Sequence, residues 1–401
     1  MFKFRAIIAT ATFVASMFVF TSPVANAADL VVPKSSFPVC SDTRLTYCVE
    51  SVSIKSPGGL AEPLTFNATG TAIEGTQPLN PSTTPGFAGA TTLAGTWSNS
   101  SWGANGHADA GYDGVFIDAK AANQYTNFLS VNVRPVKIDS SNQAKNSVVA
   151  AGASAATSLN LEEQITVKIR TGLFNSGVSI AIATSSTVVQ GADSNGNTLT
   201  ISATPTEVPI ASSTSQCLGE AGVATHKANQ LNIVFAPTND PTAGFGVDGV
   251  SGGMTVNTNG ACLASTPVWS SSTSTLTWTV AAPHFAPDGT TVNRGFYKAS
   301  IPVNDAALLW GLTKPAQAAQ ALVISVTEDD GTPSTAINSI SVKGGKILIE
   351  ASGFQYSKPT IKIKKNTKYK GFAVKKTLTC VKSSKTIKYK GFVCPTGYKK
   401  K

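Results

Sequence analysis

Ile165-Thr166-Val167-Lys168-Ile169-Arg170 alternates an aliphatic with a polar residue at every step. An extended chain therefore puts Ile165, Val167 and Ile169 on one face and the hydroxyl and charges on the other. The stretch from Phe128 through Val131, Val133 and Val136 has the same bias. Val188 and Val189 are followed by Asn195-Gly196 and then by Leu199 and Ile201, the pattern of a hairpin whose turn needs positive φ. Asp330-Gly331 separates the runs 323–326 and 337–342 in the same manner and predicts a second hairpin. Helical signal is confined to 304–312 and 316–321. Short strands broken by Gly, Pro and Ser predict an all-β protein of one or two β-sandwich domains, followed by a small basic β-hairpin tail module.

Composition agrees with that reading. Of 401 residues 42% are hydrophobic and only 13% charged, against about a quarter in an average globular protein, so Ser, Thr, Asn and Gly carry the polarity. A chain this long and this apolar buries cores of its own and is not wholly disordered. Three His and six scattered Cys leave little material for a metal centre, and no Cys-x-x-Cys and no His at ligand spacing from a Cys is present. No cofactor loop of the P-loop or dinucleotide type occurs.

At the N-terminus Lys3 and Arg5 precede an apolar run from Ala6 to Phe20, and Ala25-Asn26-Ala27 supplies small residues for a signal peptidase. The run is shorter than the ~20 residues of a membrane-spanning helix. Residues 1–27 are therefore expected to be a cleaved signal peptide, giving a secreted or surface-associated chain without a stable membrane span. Export gives meaning to the even cysteine count. Six Cys allow fifteen pairings; sequence neighbourhood favours Cys40–Cys48, Cys217–Cys262 and Cys380–Cys394. The body is divided into 28–210 and 211–355, the latter a second sandwich or a continuation of the first, and the tail is placed at 356–401.

Charge is distributed unevenly. Residues 28–350 hold 15 Lys plus Arg against 22 Asp plus Glu, a net of −7, whereas residues 351–401 hold 15 Lys and no acid. Lys368-Tyr369-Lys370-Gly371-Phe372 recurs twenty residues later as Lys388-Tyr389-Lys390-Gly391-Phe392, and Ile361 and Ile363 alternate with Lys362 and Lys364. A purely solvated tail needs none of these apolar residues, so a hairpin closed by Cys380–Cys394 is predicted.

The ending Leu378-Thr379-Cys380-Val381-Lys382, followed by Val393-Cys394-Pro395-Thr396-Gly397-Tyr398-Lys399-Lys400-Lys401, resembles the Lys-rich terminal module of exported actinobacterial surface proteins. The resemblance covers only about the last fifty residues. It implies a β-rich body and association with the surface or wall; it implies no activity.

Candidate sites in the body are weaker. Trp97, Trp102, His107 and Tyr112 lie in a Ser/Asn/Gly-rich stretch without regular alternation, so exposed rings that stack on a glycan are expected there. Gly249-Val250-Ser251-Gly252-Gly253 has Val250 where a trypsin-like nucleophile segment carries Asp, and it reads as a turn between strands. The loop 193–197 lacks the Gly and Glu of a calcium hand; Asp109, Asp113 and Asp118 are a non-standard calcium candidate. Glu162 with Glu163, and Glu328 with Asp329 and Asp330, are adjacent acids that point to opposite faces of a strand, unsuited to acid/base work, and read as solvated turn residues.

The expected function is that of an exported, non-enzymatic surface or cell-wall protein whose cationic tail binds an anionic envelope polymer through Lys362, Lys364, Lys368, Lys370, Lys388 and Lys390. A secreted carbohydrate-active or glycan-binding protein that uses the aromatic loop near 97–112 is the alternative. Nucleic acid is not an expected partner, because the body is acidic and the tail has no Arg.

Overall fold

A computed structural model describes residues 32–33, 36–40, 47–70, 94–102, 105, 107, 112–122, 125–138, 144–146, 159–194, 196–211, 223–237, 250, 252–328, 330–356 and 358–401. The expected signal peptide, Cys217, Asp109 and Ser251 lie outside these residues.

The protein is all-β. In chain order the strands are β1 (Tyr47–Lys55), β2 (Glu62–Gly70), β3 (Ala94–Ser98), β4 (Gly114–Ala122), β5 (Tyr125–Ile138), β6 (Ala144–Asn146), β7 (Gln164–Gly172), β8 (Ser176–Ile182), β9 (Ser185–Asp193), β10 (Gly196–Thr204), β11 (Thr206–Ile210) and β12 (His226–Pro237). They continue as β13 (Met254–Thr258), β14 (Leu263–Ala264), β15 (Val268–Ser270), β16 (Thr275–Ala281), β17 (Arg294–Pro302), β18 (Leu322–Thr327), β19 (Ile337–Lys343), β20 (Lys346–Gln355), β21 (Thr360–Lys365), β22 (Lys376–Lys382), β23 (Lys385–Gly391) and β24 (Lys399–Lys400). Helices α1 (Val303–Trp310) and α2 (Ala318–Ala321) occupy the connection between β17 and β18, where the sequence places its only helical signal.

One sheet runs β19-β20-β17-β13-β8-β12-β5-β4-β3-β2-β1-β7-β10-β9 and folds back on itself. The fold occurs along β2, which pairs with β1 at Glu62–Leu64 and with β3 from Thr65 onward, with a register shift between Phe66 and Ala68. A bulge of this kind bends a strand and lets it change layer. Val52, Ile165, Val167 and Leu199 on one limb then pack with Ile117, Val131, Ile233 and Phe235 on the other in a single core. The alternation of Ile165, Val167 and Ile169 is seen directly: each is at most 2% exposed, while Thr166, Lys168 and Arg170 are half-buried.

A second core lies on the opposite face of the same sheet. There Tyr297, Ile301, Ile347, Ile349 and Phe354 of β17 and β20 meet Leu276, Trp278 and Val280 of β16, Leu322 and Val326 of β18, and Ile361 and Ile363 of β21. The last three strands belong to a separate five-stranded sheet, β14-β16-β21-β18 with β15 on β16. Strand β8 serves both cores: Val178 and Ile180 face the second, Ala181 the first, and all seven residues are buried. The boundary drawn near 210 falls within one continuous sheet: β12, beyond it, pairs with β5, β8 and β11 before it and supplies Leu231, Ile233 and Phe235 to the first core.

Two expectations are corrected by strand pairing. The runs flanking Asp330-Gly331 do not form a hairpin: Gly331 takes positive φ as a turn, but β18 pairs with β21 while β19 pairs with β20 in the other sheet. A turn signal fixes where the chain reverses, and burial of the faces decides the partner. The segment expected to open the tail module is instead the strand between β16 and β18, with Ile361 and Ile363 fully buried opposite Trp278, Leu276, Val326 and Ile324. The tail proper begins after Asn366, whose amide bonds to Ala321 O at 2.7 Å.

Candidate functional site: the lysine-bearing C-terminal region

The two copies of Lys-Tyr-Lys-Gly-Phe differ in backbone, the first on an irregular connection and the second in β23, but share one contact. In each, the Tyr ring lies over the Gly two residues on, so that a Cβ at Gly371 or Gly391 would strike Tyr369 or Tyr389. The Phe that ends each copy turns inward, and the two converge on one cation: Lys365 Nζ is 4.6 Å from the Phe372 centroid and 4.7 Å from the Phe392 centroid. Desolvation, with the neighbouring Lys375 second, lowers the Lys365 pKa from its ordinary value. Phe392 also packs against Gly311, the αL residue that closes α1 (φ 72°), where any side chain would meet both the ring and Ala373 O. Ala373 N bonds back to Gly311 O at 2.9 Å, which seats the tail on the end of α1.

Strands β22, β23 and β24 form a three-stranded sheet closed by Cys380–Cys394, with Cα atoms 5.7 Å apart. Its register, Leu378↔Tyr389 and Cys380↔Ile387, puts the apolar residues on one face. Between that sheet and α1 lies a cleft of about 460 Å³ whose lining includes Ala307, Leu308, Leu378, Phe392 and Tyr398. The other face carries Thr377, Thr379, Lys388, Lys390 and Lys399. Lys388 Nζ donates to Thr379 Oγ1 at 2.8 Å.

The six lysines singled out from sequence thus fall in three places. Lys362 and Lys364 stand on the outward face of β21, beside Thr277 and Ser325, and Thr275 and Val323. Lys368 and Lys370 lie on the connection after Asn366, which folds as an Asx turn with Lys368 N donating to Asn366 Oδ1 at 3.1 Å. Lys388 and Lys390 share the outer hairpin face. Among the described residues no tail lysine lies within 4.0 Å of a carboxylate, whereas body cations form such pairs: Lys168–Glu50 at 2.6 Å, Lys227–Glu207 at 2.9 Å and Lys120–Asp118 at 2.7 Å.

The aromatic candidates are brought together, but they face inward. Trp97, Trp102, His107 and Tyr112 are all at most 5% exposed, so the expected exposed stacking face is absent from these rings. Trp102 Nε1 donates to Tyr112 O at 2.7 Å and its ring packs on His107 and Tyr112. The Trp97, Trp102 and Tyr112 rings join the first core, and a polar group the sequence reading missed is buried with them. His107 Nδ1 contacts Glu163 Oε1, its Nε2 is 3.5 Å from Glu62 Oε2, and Tyr112 OH donates to Glu163 Oε2 at 3.1 Å. Glu163, expected to be a solvated turn acid, is 2% exposed; Glu162 beside it is exposed. Burial, with the Glu163 charge second, pushes the Tyr112 phenol well above its ordinary pKa. Nothing at a single position signals this cluster, because its members come from four segments that meet only in the fold.

Asp118 is likewise unavailable to calcium. Its carboxylate is 1% exposed, accepts from Ser36 Oγ, and lies 2.7 Å from Lys120 Nζ and 3.8 Å from Arg134. Burial lowers Arg134 to about 10, with Asp118 acting in the opposite direction. The Cys40–Cys48 bridge is formed, and Cys262 is buried and disulfide-bonded. Disulfides, and the finding that no helix among the described residues is long and apolar enough to cross a membrane, are compatible with an extracellular protein. Comparison with known proteins yields no relative: no family model, curated protein or solved structure matches the chain.

Proposed function

We propose that the protein is an exported, non-enzymatic surface protein held on an anionic cell-envelope polymer by its C-terminal lysines. The observation that carries this reading is the unpaired state of those lysines in a region that contains no acid. Lysines mounted on strands and a disulfide-closed hairpin present their charge without the ordering cost of a free tail. The signal-peptide layout and the disulfides support export.

Near an anionic surface each lysine contributes on the order of 1 kcal/mol, screened over ~8 Å at physiological ionic strength. In the full mature chain, the combined Lys388→Gln, Lys390→Gln and Lys399→Gln variant is expected to bind isolated cell walls and a purified phosphodiester wall polymer at least about tenfold more weakly. Retention of the parent should fall steeply with added salt. Salt-insensitive retention, or equal binding by the triple variant, overturns the proposal.

A further inference from the structure

Where the long sheet leaves the second core, its outer face is lined with hydroxyls. Register across β13, β17, β20 and β19 aligns Thr255, Ser300, Leu348 and Ser341 in one row and Asn257, Lys298, Glu350 and Ser339 in the next. The start of β9, Ser185–Thr187, borders this face from the first sandwich, enclosing a groove of about 370 Å³ at the junction of the two. Junctions of this kind are where small-molecule sites concentrate, and the volume falls in their usual range.

Two side-chain oxygens lining the groove lack hydrogen-bond partners. Asn257 is 7% exposed, and its Oδ1 is buried with no hydrogen-bond partner; Ser186 Oγ, also lining the groove, is in the same state. A buried acceptor left unpaired costs about 1–3 kcal/mol, and native proteins rarely tolerate one without a reason. Lys298 does not answer Glu350 opposite it: no ion pair joins them among the described residues, and its Nζ sits 5.3 Å from the Phe296 centroid. The Thr255 and Ser300 hydroxyls are 2.5 Å apart, with either able to donate.

We infer that this groove binds a neutral saccharide. The chemistry selects the class. Asn257 Oδ1 and Glu350 need donors, which a phosphodiester or sulfate lacks, whereas sugar hydroxyls both donate and accept. Lys298, Ser186 and the Thr255–Ser300 pair supply groups for the ligand's acceptor oxygens, and Leu348 offers the apolar surface that the C–H side of a sugar ring requires. The site is independent of the tail lysines and goes beyond electrostatic retention: the protein would hold an anionic polymer at one place and a neutral glycan at another.

The test uses the full mature chain and a panel of neutral gluco-, manno-, galacto- and N-acetylglucosamine oligosaccharides, followed by backbone amide shifts, with inorganic phosphate as a control. At least one oligosaccharide is expected to bind saturably and to shift the amides of Asn257, Lys298 and Ser300. Asn257→Leu, which removes the unpaired oxygen at similar volume, should weaken that binding at least about tenfold without lowering the melting temperature. Ser300→Ala, a smaller change, should weaken it as well. The Lys388→Gln, Lys390→Gln, Lys399→Gln variant should bind the sugar unchanged, which separates this site from the proposed envelope contact. No saturable binding to any panel member, binding that survives both groove variants, or a groove that responds to phosphate alone overturns the inference.

Discussion

The body and the tail handle charge in opposite ways. Several body cations are paired with carboxylates: Lys120 and Arg134 close on Asp118, Lys168 and Arg170 on Glu50, and Lys227 on Glu207. Tail cations face aromatic rings, neutral oxygens such as Thr379 Oγ1, or water, and among the described residues none forms an ion pair. Lys365 and Lys375 lie over Phe392, and Lys382 is 5.9 Å from the Tyr398 centroid. A lysine over a ring keeps its full charge, since a cation–π contact neutralises nothing and contributes only about 0.5–1 kcal/mol at an exposed site. The comparison teaches that charge in the body is part of the fold, whereas charge in the tail is displayed by the fold.

Truncation gives the largest separation of the two regions. A chain ending at Glu350 loses Phe354, Tyr356, Ile361 and Ile363, each at most 1% exposed in the second core. At about 1.5–3 kcal/mol per large buried side chain, that loss rivals the whole 5–15 kcal/mol of a typical domain. A chain ending at Asn366 keeps all four and the complete β21. The first truncation is expected to abolish the cooperative melt of the second sandwich, and the second to retain it, by near-ultraviolet circular dichroism. Equal melts for both would show that β21 is dispensable and the tail begins earlier.

A smaller but sharper contrast comes from single charges. Asp118→Asn leaves Lys120 and Arg134 buried without their shared carboxylate, and breaking a buried pair this way costs about 3–5 kcal/mol. Lys388→Gln on the outer hairpin face should stay within about 0.5 kcal/mol of the parent. Urea midpoints for the two variants measure the difference. Similar shifts would mean that the tail lysines are as structural as the body pairs.

How far all this could be read in advance depends on the range of the interaction. Alternation at Ile165–Arg170, the turn at Gly196 and the weak helices at 304–312 and 316–321 are local, and the structure contains each of them. Pairing partners are not local. β21 carries a Lys-rich tail composition, yet it is placed by Trp278 and Leu276 more than eighty residues upstream, so composition assigned it to the wrong side of the boundary. The repeat at 368 and 388 was visible as a motif, but its meeting point at Lys365 and Gly311 was not. The junction groove left no trace in sequence either: Ser186, Asn257, Ser300 and Glu350 are ordinary strand residues until register aligns them. The aromatic stretch is hidden for a related reason: its sequence is irregular, and the core that takes in its rings and the Glu163 that meets His107 and Tyr112 come from distant segments.

Acid titration is the mildest perturbation, and it separates the regions without mutation. Asp288 accepts from the amides of Thr290 and Thr291 at 2.9 and 2.8 Å and from the Thr291 hydroxyl. These bonds favour its charged form and lower its pKa from 3.8 to about 2, the Thr291 hydroxyl contributing most. Asp330 is lowered in the same direction by Thr332. For a carboxylate depressed in the folded state, the stabilisation is complete above the unfolded value of 3.8 and is lost as pH falls through about 2. Both groups are fully exposed, so the effect is local to the 286–291 and 330–333 turns. Residues 376–401 contain no Asp or Glu, and apart from the chain's own terminal carboxylate nothing in β22 or β23 titrates over that interval. Amide shifts followed from about pH 5 to pH 1 should therefore show Thr290, Thr291 and Thr332 moving at low pH while Lys388 and Lys390 stay still. Movement of the hairpin amides together with the turns would show that tail and body respond to acid as one unit, and the division of charge between structure and display would have to be redrawn.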